Sequence, residues 1–170
     1  MKKWRVPIIL LAVVVLLLAG YFFYTRPMTL AQLYPELVLE DCDEIACAYY
    51  FTTDPEIIPA QHAECTVEAD SEKFRQLCAL FREQKYRRSL KNLLRMGRRQ
   101  HSVRLGDILW SVDFRFGKTV FEDGHAGYRG YFQFSTMFGE LELNDNGQLT
   151  TCFVADQKAW SRSIHQLLRE

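Results

Sequence analysis

The chain lacks the patterns by which most enzyme classes are recognised. There is no nucleophile elbow, no phosphate-binding loop and no paired metal-binding histidine, so serine hydrolase, P-loop nucleotide and zinc protease chemistry find no support in it. The four histidines, His62, His101, His125 and His165, are scattered, and each reads as a solvated or partly buried imidazole rather than a catalytic one. Glycine and proline are sparse, at 9 and 5 of 170 residues, and no stretch is rich in Pro/Ser or Gly. That scarcity, with 14% aromatic residues, excludes a low-complexity chain, because enough apolar surface exists to offset the entropy lost on folding.

Net charge is missing too, with 21 Lys and Arg against 21 Asp and Glu. The balance hides a segregation. Residues 27–72 hold no Lys or Arg but eleven acidic residues, whereas residues 73–104 hold eleven basic residues against Glu83 alone. Either the two blocks lie against each other and cancel, or the arginines splay from a sheet edge. In the second case Arg87, Arg88, Arg95, Arg98 and Arg99 form a basic patch for an anionic lipid surface or a wall polymer. These arginines are not interleaved with stacking aromatics, so nucleic acid is not an expected partner.

The five cysteines, Cys42, Cys47, Cys65, Cys78 and Cys152, cannot all pair. Cys78 falls on a helical apolar stripe, and Cys47, Cys65 and Cys152 fall within apolar strands, ordinary places for buried thiols. The best candidate for a disulfide is Cys47 with Cys65, because consecutive strands often pair. Cys42 and Cys47 lack zinc-knuckle spacing and no His cluster completes a site, so no metal is expected. Glu142, Asn144 and Asn146-Gly147 resemble the start of a calcium loop, but Phe153 stands where the bidentate Glu belongs and a hairpin fits better. No cofactor is expected.

What is present in abundance is one apolar run. Residues 6–24 contain no charge, with Lys2, Lys3 and Arg5 before them and Arg26 after. A helix of about 19 residues is roughly 28 Å long, close to the hydrocarbon thickness of a bilayer. The run has no polar face, unlike a core helix, and it exceeds the apolar length of a cleaved signal. Leu17-Leu18-Ala19-Gly20 is followed by Tyr21 rather than the cysteine of a lipoprotein signal. Tyr21, Phe22, Phe23 and Tyr24 form an interfacial belt. An uncleaved signal anchor is therefore expected, with residues 1–5 cytoplasmic by the positive-inside rule and the remainder exported from a single-pass membrane protein.

After a linker at residues 25–35, residues 36–170 suit one domain. Thr29 and Gln32 make a capping-box pair. Residues 45–53 and 62–69 alternate as strands. Asp70-Ser71-Glu72 caps a helix with a stripe of Phe74, Leu77, Cys78 and Phe81. Residues 86–96 read as a strand and then loop, though a helix competes. Residues 108–116 alternate most clearly and should form a central strand. Residues 119–122 follow a Gly117-Lys118 turn, and Asp123-Gly124 opens a glycine-containing loop through residue 130. Strands at 131–137, 140–143 and 148–155 follow, with Asn146-Gly147 as a hairpin turn. Asp156 caps a terminal helix bearing Trp160, Ile164, Leu167 and Leu168. The expected fold is α+β, one antiparallel sheet with an early and a C-terminal helix packed on it. A partly closed barrel of the pleckstrin-homology kind, plugged by the last helix, is the alternative.

These features predict a membrane-anchored extracytoplasmic binding or accessory module of the cell envelope. Its partners would be the bilayer through residues 6–24, an anionic lipid or wall polymer, and another envelope protein. The competing class is an envelope enzyme whose site combines His125 with Asp123 on loop 123–130.

Overall fold

An apolar helix, α1 (Arg5–Tyr24), leads the chain. It is the one helix among the described residues long and apolar enough to cross a membrane, and no part of Pro7–Tyr24 is buried against the domain. A core helix would be buried, so that reading of the run fails. Pro7 lies in the first turn, where its missing N–H costs no intrahelical bond. The computed structural model describes residues 5–51, 61–94, 108–122, 124–136 and 140–169.

Beyond the anchor, α2 (Leu30–Leu33) carries the expected capping box. The Gln32 side-chain oxygen accepts from Thr29 N at 3.0 Å, and Thr29 Oγ1 accepts from Gln32 N at 3.4 Å. A 3₁₀ turn at Leu39–Asp41 then buries Leu39. β1 (Glu44–Phe51) and β2 (Gln61–Glu68) form an antiparallel pair. α3 (Glu72–Arg82) starts at Ser71, whose Oγ accepts from Phe74 N at 3.1 Å. β3 (Tyr86–Arg88) is followed by α4 (Lys91–Leu94), so the stretch after the strand holds a helical turn where a loop was expected. β4 (Ile108–Phe116) leads to a two-stranded ribbon of β5 (Thr119–Val120) and β6 (Ala126–Gly127), where a simple glycine loop was expected. β7 (Gly130–Ser135), β8 (Leu141–Asp145) and β9 (Gln148–Val154) then meander, and α5 (Gln157–Arg169) closes the domain. Asn146 and Gly147 both take positive φ, 47° and 94°, as a two-residue hairpin loop requires.

The main sheet has seven strands in the order β2-β1-β4-β7-β8-β9-β3, antiparallel at every pairing. It is open, with β2 and β3 at opposite edges. The pleckstrin-homology-like closed alternative is therefore incorrect. Two helices rather than one sit on the core face, and their bulk holds the sheet spread: α5 packs on β4, α3 packs on β2, and the helices touch each other.

Alternation decides which side chains meet those helices. Ile45 and Cys47 of β1, Trp110, Val112 and Phe114 of β4, Phe132 and Phe134 of β7, and Leu141 and Leu143 of β8 are all buried. Phe81 of α3 is fully buried at their centre, its ring 4.3 Å from Phe134, 5.2 Å from Trp160, 5.6 Å from Phe114 and 5.7 Å from Trp110. Such offset and edge-on aromatic pairs contribute beyond their area burial. Trp110 Nε1 donates to Ser161 Oγ of α5 at 3.0 Å, which satisfies this buried indole N–H.

Candidate functional site

The apolar helix α1 and the sheet are joined by backbone. Met28 N donates to Tyr86 O at 2.9 Å, and Tyr86 N donates to Met28 O at 2.8 Å, an isolated antiparallel bridge that extends the β3 edge. Three residues, Thr25, Arg26 and Pro27, separate Tyr24, the end of α1, from Met28, so four Cα steps give a reach of about 14 Å at most. The Arg26 guanidinium lies 4.5 Å from the Phe23 ring centroid, and that of Arg88 lies 5.9 Å from that of Tyr24. Both distances suit a cation–π contact. Tyr86 is itself fully buried, and its hydroxyl donates to Phe81 O at 2.6 Å, so the edge strand is pinned to the core on one side and to the anchor on the other.

This geometry redistributes the predicted basic patch. Arg87 and Arg88 are successive residues of β3, so they point to opposite faces of the sheet. Arg88 faces the core side, opposite the buried Cys152, near the end of the anchor. Arg87 faces away, paired with the exposed Phe153. Neither forms an ion pair with another described residue. Leu90 and Leu93 beside them are 40% and 60% exposed. Arg95, Arg98 and Arg99 lie outside the described residues. The α4 turn covers the rest of the β9 edge: Asn92 accepts from Thr151 N at 2.8 Å and donates to Thr151 O at 2.9 Å, as a neighbouring strand would.

The two charge blocks meet only in part. Arg82 pairs with Glu40, and Arg75 pairs with Glu72 at 3.2 Å. Lys91 instead binds Glu140 at 2.5 Å, and Glu44 binds Arg115 at 3.0 Å and Lys118 at 3.4 Å. Glu44 is the hub of a polar cluster on the face away from the helices. Burial pushes its carboxyl up, but hydrogen bonds from Tyr128 and Lys118 and the charges of Lys118 and Arg115 hold it below the usual carboxylate value. Alongside runs a groove of about 670 Å³ lined by Asp113, Arg115, Tyr131, Gln133 and Asn144 among others. Gln133 Nε2 donates to Asp113 Oδ1 at 2.8 Å and to Ser111 Oγ at 3.1 Å. Alternation along β4 sets Asp113 and Arg115 opposite the inward Val112 and Phe114, but nothing in the sequence pattern marks Glu44 as their neighbour.

Cys47 and Cys65, the predicted pair, are direct partners across β1 and β2, and both are free thiols. His125, exposed in the turn of the β5–β6 ribbon, offers its backbone carbonyl to Phe121 N at 2.9 Å, and its expected companion Asp123 lies outside the described residues. His165 stacks edge-on against Tyr49 at 5.0 Å, and burial together with the charge of Arg169 lowers its pKa. No group of three or more His, Cys, Asp or Glu suited to a metal occurs among the described residues. In the Glu142–Asn146 stretch Asn144 Oδ1 accepts from Gly147 N at 2.8 Å, a turn-closing bond. No family model, curated protein or solved structure matches this chain.

Proposed function

We propose that this chain is a membrane-anchored, extracytoplasmic binding or accessory module of the cell envelope, whose domain rests on the outer leaflet along its β3 edge. The observation that carries the reading is the Met28–Tyr86 backbone bridge. Because the bridge begins four residues after the apolar helix, the start of the edge strand stays within about 14 Å of that helix's end, in or close to the headgroup zone, which extends roughly 7 Å beyond the hydrocarbon on each side. Arg26, Arg87 and Arg88 then lie where each basic side chain gains about 1 kcal/mol from an anionic leaflet. Exposed Leu90 and Leu93 add apolar contact at the same level. The excess of Lys2, Lys3 and Arg5 over Arg26 supports the outward orientation.

The test uses the full chain in nanodiscs of phosphatidylcholine alone or mixed with phosphatidylglycerol. Amides of residues 86–94 should exchange more slowly in the anionic discs at low salt, and the difference should vanish as salt shortens the screening length below about 10 Å. Equal exchange in both lipids would discard the membrane-surface reading in favour of a protein partner. Orientation is tested separately: an impermeant protease added to intact cells should remove a C-terminal tag, and protection of that tag would reverse the topology.

A further inference from the structure

We propose that Cys47 and Cys65 form a thiol–disulfide exchange site, in which Cys65 takes up an incoming disulfide and Cys47 resolves it into a disulfide across β1 and β2. The two residues are Cα partners in an antiparallel register. Residues directly opposite in such a ladder stand about 4.5–5.5 Å apart at Cα, inside the range of about 4.4–6.8 Å that a disulfide spans. Alternation sends both side chains to the core face, between Ile45 and Tyr49 on one strand and Ala63 and Val67 on the other.

Their surroundings differ in the way exchange chemistry needs. β2 is an edge strand, so Cys65 is reachable from beyond the sheet and is partly exposed, while Cys47 is 3% exposed behind it. Interaction with Cys47, together with the Lys73 ammonium at the start of α3, outweighs partial burial and lowers the Cys65 thiol below its ordinary value. The same interaction, with burial, pushes the Cys47 thiol up. An attacking thiol is most effective when its pKa lies near ambient pH. The remaining three are buried and have their thiols pushed up to about 12 by burial.

The reaction balances with a disulfide-bearing oxidant. The Cys65 thiolate attacks one sulfur of the oxidant, forming a mixed disulfide and expelling a thiolate. The Cys47 sulfur then attacks Cys65, its proton passing to the second departing sulfur, so that one thiolate and one thiol leave in all. Two electrons move from the protein dithiol to the oxidant, and reduction by a dithiol runs the same steps backwards.

The experiment takes the full chain in detergent, exposes it to mixtures of oxidised and reduced glutathione, and traps free thiols with a maleimide after denaturation. Mass mapping should find Cys47 joined to Cys65, with Cys42, Cys78 and Cys152 alkylated. The rate in the wild-type chain should fall about tenfold per pH unit once pH drops below the Cys65 thiol's own pKa, and that break should lie below the ordinary thiol value, as thiolate is lost. Cys47→Ser should stop at a glutathione adduct on Cys65, and Cys65→Ser should leave Cys47 unmodified. Lys73→Gln should slow the first step. Failure of the wild-type chain to form the Cys47–Cys65 link, pairing through another cysteine, or a glutathione adduct on Cys47 in Cys65→Ser at the wild-type rate would each overturn the assignment. The wild-type mapping and pH profile decide the matter even if a variant fails to fold.

Discussion

Tyr86 joins the two ends of the architecture, because its hydroxyl donates to Phe81 O at 2.6 Å inside the core while its backbone exchanges hydrogen bonds with Met28 at the foot of the anchor. Tyr86→Phe keeps the ring and the backbone bridge but removes a buried donor. It should lower unfolding free energy by about 1–2 kcal/mol, read by denaturant titration of the full chain in detergent. A neutral result would mean that the Phe81 carbonyl finds another donor.

Phe81 is the centre of the aromatic core, in contact with Phe134, Trp160, Phe114 and Trp110. Phe81→Ala should cost about 3–5 kcal/mol, from lost transfer energy and the cavity left between helices and sheet. Near-ultraviolet circular dichroism should weaken with it, since the tryptophan surroundings loosen. A loss under about 1 kcal/mol would show that the site collapses to fill the void.

Glu44 ties β1 to β4 and to the start of the ribbon. Its folded pKa lies below the ordinary 4.5, so the native state binds the proton less readily than the unfolded chain. The associated stability is present above the unfolded value and is lost as pH falls through the folded value. Glu44→Gln should therefore lower stability at neutral pH by about 1 kcal/mol and flatten the acid limb below about pH 4.5. Parallel acid limbs in the two chains would remove Glu44 from that role.

At the alkaline end the sign reverses. Burial raises the thiols of Cys42, Cys78 and Cys152 from 9.0 to about 12 and the Tyr86 phenol well above 10.0. The native state holds these protons longer than the unfolded chain, so stability present below the unfolded values declines as pH rises from about 9. The denaturation midpoint should fall steadily between about pH 9 and 11 while the native chain shows no thiolate absorbance beyond that of Cys65. Cys78→Ala should reduce the slope, and an unchanged slope would point to other groups.

Much of the local structure was legible from residue order. The stripe of Phe74, Leu77, Cys78 and Phe81 is the buried face of α3, the Thr29–Gln32 box caps α2, and Asn146-Gly147 turns β8 into β9. Each depends on contacts within a few residues, where steric and hydrogen-bonding rules are short-ranged and strongly patterned. The even-numbered residues Trp110, Val112 and Phe114 were readable as an inward face for the same reason, since strand alternation is local. The apolar length of α1 was equally plain.

The order of strands was not written in any local pattern. β3 crosses to the far edge beside β9, rather than to a sequential neighbour, where Tyr86 is buried against the rings of Phe134 and Trp160. That placement brings Met28 alongside and separates Arg87 from Arg88 onto two faces. Glu44 meets Arg115 only through the pairing of β1 with β4, 71 residues apart in sequence. The face-to-face register of Cys47 and Cys65 likewise depends on which strand ends align. Sequence by itself determined the long apolar helix, the other helices and the inward faces of the strands, because those follow from nearest-neighbour geometry and apolar periodicity. The tertiary structure alone decided the partners, because pairing between distant segments is chosen by what the assembled core can bury.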